Sequence, residues 1–146
     1  MTEIPANCIL NKGITGCGAT TLAIRQAGHT IIAMPFVGLI KNKEYQHSEV
    51  LGIYGSGDKT GKIKEYMQKH ATLKIAVTYD SLPKLCNILT DLGFNPYKGS
   101  HLVIDEWHIL FNAYLYRNEA IKGLLDIAGQ FDKVTYISAT PVERKY

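Results

Sequence analysis

Six short apolar runs, separated by segments of helical periodicity, govern what this chain can fold into. The runs are Ala6–Leu10, Thr30–Met34, Val50–Tyr54, Lys74–Thr78, His101–Asp105 and Val134–Ser138. Most are continuously apolar, as strands covered on both faces must be. Between them lie helix candidates at Thr20–Ala27, Val37–Tyr45, Thr60–His70, Ser81–Leu92 and Asn118–Phe131, the last predicted to bury Ile121, Leu124, Leu125 and Ala128 on one stripe. Strands alternating with helices imply right-handed crossovers, and so an α/β fold with a mainly parallel central sheet and helices on both faces. The 146 residues suit a single domain spanning 1–146, and 46% hydrophobic with 20% charged residues excludes a disordered or fibrous chain. Ligands of such sheets bind beyond the carboxyl ends of the strands, so the residues just after each run are the ones to read for chemistry.

Several function classes drop out early. Cys8, Cys17 and Cys86 are odd in number and lack C-x-x-C spacing, which argues for reduced thiols over a disulfide framework or a zinc site. No apolar run reaches the roughly 18 residues of a membrane span. The N-terminus lacks the basic flank and apolar core of a signal peptide, so a cytoplasmic chain with no membrane partner is expected. The formal net charge is +3, and residues 41–74 carry seven lysines against four acidic residues. That stretch reads either as a solvated helix face or as a patch that attracts phosphate backbones.

After the first run stands Lys12-Gly13-Ile14-Thr15-Gly16-Cys17-Gly18-Ala19-Thr20-Thr21, followed by the helix-like Leu22-Ala23-Ile24-Arg25. Gly13, Gly16 and Gly18 permit positive φ and leave no side chains in the way, so that successive N–H groups and a helix N-terminus can surround a polyphosphate. The spacing fits G-x-x-x-x-G-K-[ST] at Gly13, Gly18 and Thr20, with the Thr20 hydroxyl placed to ligate Mg2+. The expected nucleotide-binding positions are Lys12, Gly13, Thr15, Gly16, Cys17, Gly18, Ala19, Thr20 and Thr21. Ala19 departs from the pattern, standing where a lysine reaches the β- and γ-phosphates, and its presence should weaken ATP binding, hydrolysis or both. Lys12 folding back, or a basic residue from a partner, are the two available compensations. A glycine-rich turn with no ligand is the plainer alternative.

The run His101–Ile104 leads into Asp105-Glu106-Trp107-His108. An acid at a strand end can hold Mg2+, the role suited to Asp105, and its neighbour Glu106 can orient and deprotonate an attacking water. Taken alone, the pair also fits a helix N-terminus, where acids are favoured by the dipole, and Trp107 fits core packing. Some thirty residues on, another run ends in Ser138-Ala139-Thr140-Pro141. A phosphate loop, a D-E-x-H strand end and an S-A-T strand end, in this order, resemble motifs I, II and III of the superfamily 2 helicases. That resemblance covers nearly the whole chain and implies a RecA-like P-loop motor domain that uses ATP and Mg2+. By carry-over, Thr20 and Asp105 serve the metal and Glu106 the water, while His108, Ser138, Ala139 and Thr140 couple the nucleotide site to nucleic acid.

Two looser matches lie where that family contacts nucleic-acid backbone. Pro35-Phe36-Val37-Gly38-Leu39-Ile40-Lys41 resembles motif Ia, and Thr78-Tyr79-Asp80-Ser81-Leu82 resembles a T-Y-x-x-L segment. Pro35, Lys41, Lys43 and Thr78 are therefore the candidates for touching single-stranded DNA or RNA, a contact that reads backbone and not base. The resemblance also implies a second RecA-like domain or partner protein that completes the site, so this chain alone is expected to be a weak or inactive ATPase. A nucleotide- or nucleic-acid-binding pseudo-ATPase with a scaffold or regulatory role is the alternative that Ala19 supports. A P-loop nucleotide kinase would leave Ser138-Ala139-Thr140 unexplained.

Overall fold

The structure, a computed structural model, describes residues 8–11, 23–55, 57–105 and 118–138. All six expected strands are present: β1 (Cys8–Asn11), β2 (His29–Met34), β3 (Leu51–Ile53), β4 (Lys74–Thr78), β5 (Ser100–Asp105) and β6 (Lys133–Ser138). They form one sheet in the order β1-β6-β5-β2-β4-β3, and every neighbouring pair is parallel. The helices are α1 (Val37–Gln46), α2 (Thr60–Lys69), α3 (Leu82–Asp91), the single turn α4 (Pro96–Gly99) and α5 (Asn118–Ala128). A 3-10 turn, Tyr79–Ser81, precedes α3. Residues 23–25 are also helical, the described part of the helix expected at Thr20–Ala27.

Strand alternation sorts the interior into two cores. On one face Ile31, Ala33, Ile75, Val77, Leu102, Ile104 and Val134 meet α2, α3 and α5 through Ile63, Leu85, Leu89, Leu124 and Ala128. On the other, Ile32, Met34, Ala76, Val103 and Ile137 meet Ala23, Ile24 and Ile40. The connections that travel from β1 towards β3 along the sheet, residues 23–28 and α1, use the second face. Those that return from β3 to β6 through α2, α3 and α5 use the first. Opposite directions of travel on opposite faces is what crossovers of a single hand require.

Two local expectations change. Leu125 does not join the buried stripe of α5: it is 40% exposed, while Leu124 and Ala128 are buried. Each helical step turns about 100°, so Leu125 is carried off the face that Leu124 and Ala128, four apart, share. The turn α4 was not anticipated, although Asn95-Pro96 announces it. The Asn95 side chain accepts from the Tyr97 and Lys98 amides, and Pro96 stands at the first helical position, where no donor is needed.

Gly52 sets the approach of α1 to β3. A Cβ there would lie 2.5 Å from the Glu44 carboxyl carbon and 2.8 Å from Ile40 Cγ2, and the Gly52 N–H donates to Glu44 Oε2 at 2.8 Å.

The amino edge of the sheet is closed by buried polar side chains. Lys74 Nζ donates to the carbonyls of Gln26 and Gly28, each at 2.7 Å, and to Thr30 Oγ1 at 3.1 Å. It thereby caps the chain leaving the 23–25 helix, where Gly28 takes φ 88. Tyr66 accepts the Lys74 N–H at 3.1 Å and donates to the Glu49 carbonyl. His101 bridges Gln26 and Thr135 at 3.1 and 2.8 Å, and His29 Nδ1 accepts the Leu73 N–H at 2.9 Å. Burial pushes the Lys74 ammonium down to about 8, against the pull of Glu49. Burial, and then the Lys74 charge, lower His29 below the usual imidazole value.

These shifts have one sign. The folded chain binds fewer protons than the unfolded chain between about pH 8 and 10.5 at Lys74, and just below pH 6.5 at His29, so stability rises with pH through both windows. Urea unfolding of the wild type and Lys74→Met should differ by an amount that shifts in favour of the wild type from pH 8 to 10; a pH-independent difference would refute it. Gly52→Ala should cost about 1–3 kcal/mol in the same measurement, from overpacking against Ile40 and Glu44.

Candidate functional site

The parallel sheet brings every strand's carboxyl end to one edge, and the registers align them. Asn11 pairs with Ser138, and Asp105 pairs with Ile137 one residue short of Ser138. On the other side of β5, Ala33 pairs with Ile104 and Met34 with Thr78. The edge therefore reads Asn11, Ser138, Asp105, Met34, Thr78. Lys12 follows directly on Asn11, so the glycine-rich segment begins here. With neighbouring strands about 4.8 Å apart, the ends of β1 and β5 are about 10 Å apart with β6 between them.

Asp105 is 4% exposed. It ends a strand whose six residues are all buried, so its carboxylate belongs to the interior rim of the edge and not to open solvent. Among the described residues no group of three or more His, Cys, Asp or Glu side chains gathers to hold a metal. Asp105 is the only proposed Mg2+ ligand among them. The phosphate-loop positions Lys12 to Thr21, Glu106, Trp107 and His108, and Ala139 and Thr140 lie outside the described residues, as does the side chain of Ser138.

Three of the nucleic-acid candidates lie on this edge or reach it. Pro35 is half-buried directly after β2 and is followed by Phe36, 56% exposed at the start of α1. Thr78 is half-buried at the end of β4. Lys41 stands 5.7 Å over the Tyr54 ring, just past β3. Lys62 lies at the same distance from that ring and donates to the Gly52 carbonyl at 3.0 Å. Lys43 is set apart from Lys41: two positions on, it points about 160° round the helix, half-buried, with Nζ 3.5 Å from Gln46 Oε1.

Sequence reading missed the Tyr54 cluster, because Lys41 and Lys62 meet there only through the packing of α1 and α2 about β3. It also selected Thr78 from the T-Y-x-x-L segment and passed over Tyr79. The Tyr79 hydroxyl donates to the Asp105 carbonyl at 2.6 Å. Since β2 stands between β4 and β5, this side chain reaches across the end of an intervening strand, its ring packed against the core. Two features of the remaining chemistry are plain. Cys86 is a buried free thiol whose pKa burial pushes up to about 11, an inert packing group. A cavity of about 110 Å³, lined in part by Gln26, His29, Lys98 and His101, opens at the amino edge, the opposite end of the sheet from Asp105.

No protein-family model matches the chain, and no curated protein sequence matches it.

Tyr79→Phe keeps the ring and removes one hydroxyl, leaving the Asp105 carbonyl without that donor. A loss of about 1 kcal/mol in urea unfolding is expected, the net worth of one such bond. A variant as stable as the wild type would show that the bond contributes nothing to the fold.

Proposed function

We propose that this chain is a nucleotide-binding motor module of the superfamily 2 type, the first RecA-like domain, taking Mg2+ and ATP and acting on DNA or RNA. The observation that carries the reading is the buried Asp105 at the carboxyl end of β5, one strand removed from the strand that leads into the glycine-rich segment. The strand between them ends in Ser138, the first residue of the S-A-T sequence. Asn11, Asp105 and Ser138, far apart in sequence and each at or next to one of the three motifs, end on one edge, where open parallel sheets bind their ligands.

In this reading the backbone amides around Gly13, Gly16 and Gly18 surround the phosphates, and Thr20 and Asp105 hold the cation. The cation, when bound, offsets phosphate charge. Glu106 takes a proton from the attacking water, and His108, Ser138, Ala139 and Thr140 carry the nucleotide state towards the nucleic acid. Pro35, Lys41, Lys43 and Thr78 are the contacts proposed for that strand, Lys41 having the better position beside Tyr54. Ala19 removes a phosphate cation, which favours a second reading: the module binds nucleotide or nucleic acid and leaves turnover to a partner, or performs none.

Calorimetric titration with Mg2+ and ATP tests the loop. Ala19→Lys should tighten binding about tenfold, about 1.4 kcal/mol; unchanged affinity would remove the loop from nucleotide binding. Glu106→Gln should leave that affinity within about twofold and abolish any turnover, since it deletes the base and keeps the volume. Turnover persisting in this variant would exclude Glu106 as the base. Against single-stranded oligonucleotide, Lys41→Ala should weaken binding and lower the salt slope by about one, the mark of a lost phosphate contact. An unchanged slope would put Lys41 outside the contact.

A further inference from the structure

The bond from Tyr79 to the Asp105 carbonyl joins two segments that the proposed function uses for different ligands. Tyr79 opens the turn Tyr79–Ser81 and follows directly on Thr78, the strand-end residue assigned to nucleic-acid backbone. The carbonyl it reaches belongs to Asp105, the last residue of β5 and the acid proposed to hold the cation, so the bond bears on the position of that strand end.

The placement is specific. β4 and β5 are not neighbours: β2 lies between them, with Met34 opposite Thr78 and Ala33 opposite Ile104. No ladder hydrogen bond therefore passes directly from β4 to β5, and the tyrosine supplies a link of its own across about 10 Å of sheet edge. Its anchor is firm, because the ring packs on the core and the turn leads into α3, whose Leu82, Leu85, Cys86 and Leu89 are fully buried. A displacement at Thr78 or Tyr79 is therefore delivered to the Asp105 end of β5 instead of being dissipated in a mobile side chain.

We propose that Tyr79 is a positioning residue that couples nucleic-acid contact at Thr78 to Asp105 through its hydrogen bond to the Asp105 carbonyl. The inference rests on the motor reading above. It adds a second line of communication, separate from the S-A-T strand end, and its chemistry needs only one phenolic hydroxyl. Coupling of this kind is reciprocal: nucleotide must change oligonucleotide affinity by the same factor as oligonucleotide changes nucleotide affinity.

The test is the affinity of a fluorescent oligothymidylate for the chain, by anisotropy, with and without saturating Mg2+ and a non-hydrolysable ATP analogue. Wild type is expected to show a coupling factor of about fivefold or more. Tyr79→Phe should lower that factor by about twofold or more, leaving the part that the S-A-T strand end carries, while each separate affinity stays within about twofold. Tyr79→Leu, which also loses the ring, should uncouple equally even though it disturbs packing more. A merely structural tyrosine would lower both affinities and leave their ratio intact. Full coupling in Tyr79→Phe overturns the proposal, as does a wild type that binds both ligands with no coupling, the motor reading surviving in either case. A wild type that binds neither ligand brings down the motor reading and this inference together.

Discussion

Parallel pairing of β5 with β2 on one side and β6 on the other is the constraint on which the remaining architecture depends. Parallel neighbours cannot be joined by a tight turn, so each connection must cross a face of the sheet, and crossovers of one hand place outward and returning helices on opposite faces. Both faces of β5 are then buried, with Leu102 and Ile104 in one core and Val103 in the other. A register slip of one residue would exchange those faces and empty both cores. Asp105 is thereby held at a fixed height relative to Ile137 and to the end of β2, which gives an acid at a strand end a defined place on the edge.

The two edges of the sheet solve opposite problems. At the amino edge, polar groups that must be buried are satisfied internally: the Lys74 ammonium meets two carbonyls and a hydroxyl, and His101 bridges an amide and a threonine. Such a network specifies structure and leaves little for a ligand to recognise. At the carboxyl edge the strands end level with one another and lead into the segments that carry the glycines, the acid pair and the S-A-T sequence. Chemistry concentrates where the backbone leaves the ladder, because only there are amides and side chains released from pairing with neighbouring strands.

The basic stretch at 41–74 shows why charge counted along a sequence is a poor guide to surface potential. Lys74 is inside the protein. Lys69 pairs with Glu65 at 3.2 Å on the solvent face of α2, Lys62 is tied to the Gly52 carbonyl, and Lys43 approaches Gln46. Lys41 and Lys62 meet as a pair of cations over Tyr54, whose quadrupole attracts both. It stands past β3, on the same edge as Thr78 and Pro35.

Element order and type were legible from sequence, because continuous apolar runs and 3.6-residue periodicity are imposed by burial on two faces and on one stripe, and each is a local property of the chain. That Asp105, Pro35 and Thr78 fall at or just after strand ends was legible for the same reason. The order β1-β6-β5-β2-β4-β3 was not legible, because periodicity says that a run is a strand and says nothing of its neighbours. Nor were the encounters that depend on that order: Lys74 with Gln26 and Gly28, Lys41 and Lys62 about Tyr54, and Tyr79 with Asp105 across β2. Each joins residues about 10 to nearly 50 positions apart through packing that no local pattern encodes. The chain's own sequence determined which elements form and where reactive groups fall along them; only the tertiary structure decided which of those groups meet, because meeting depends on the path of the crossovers and the depth to which the helices settle on the sheet.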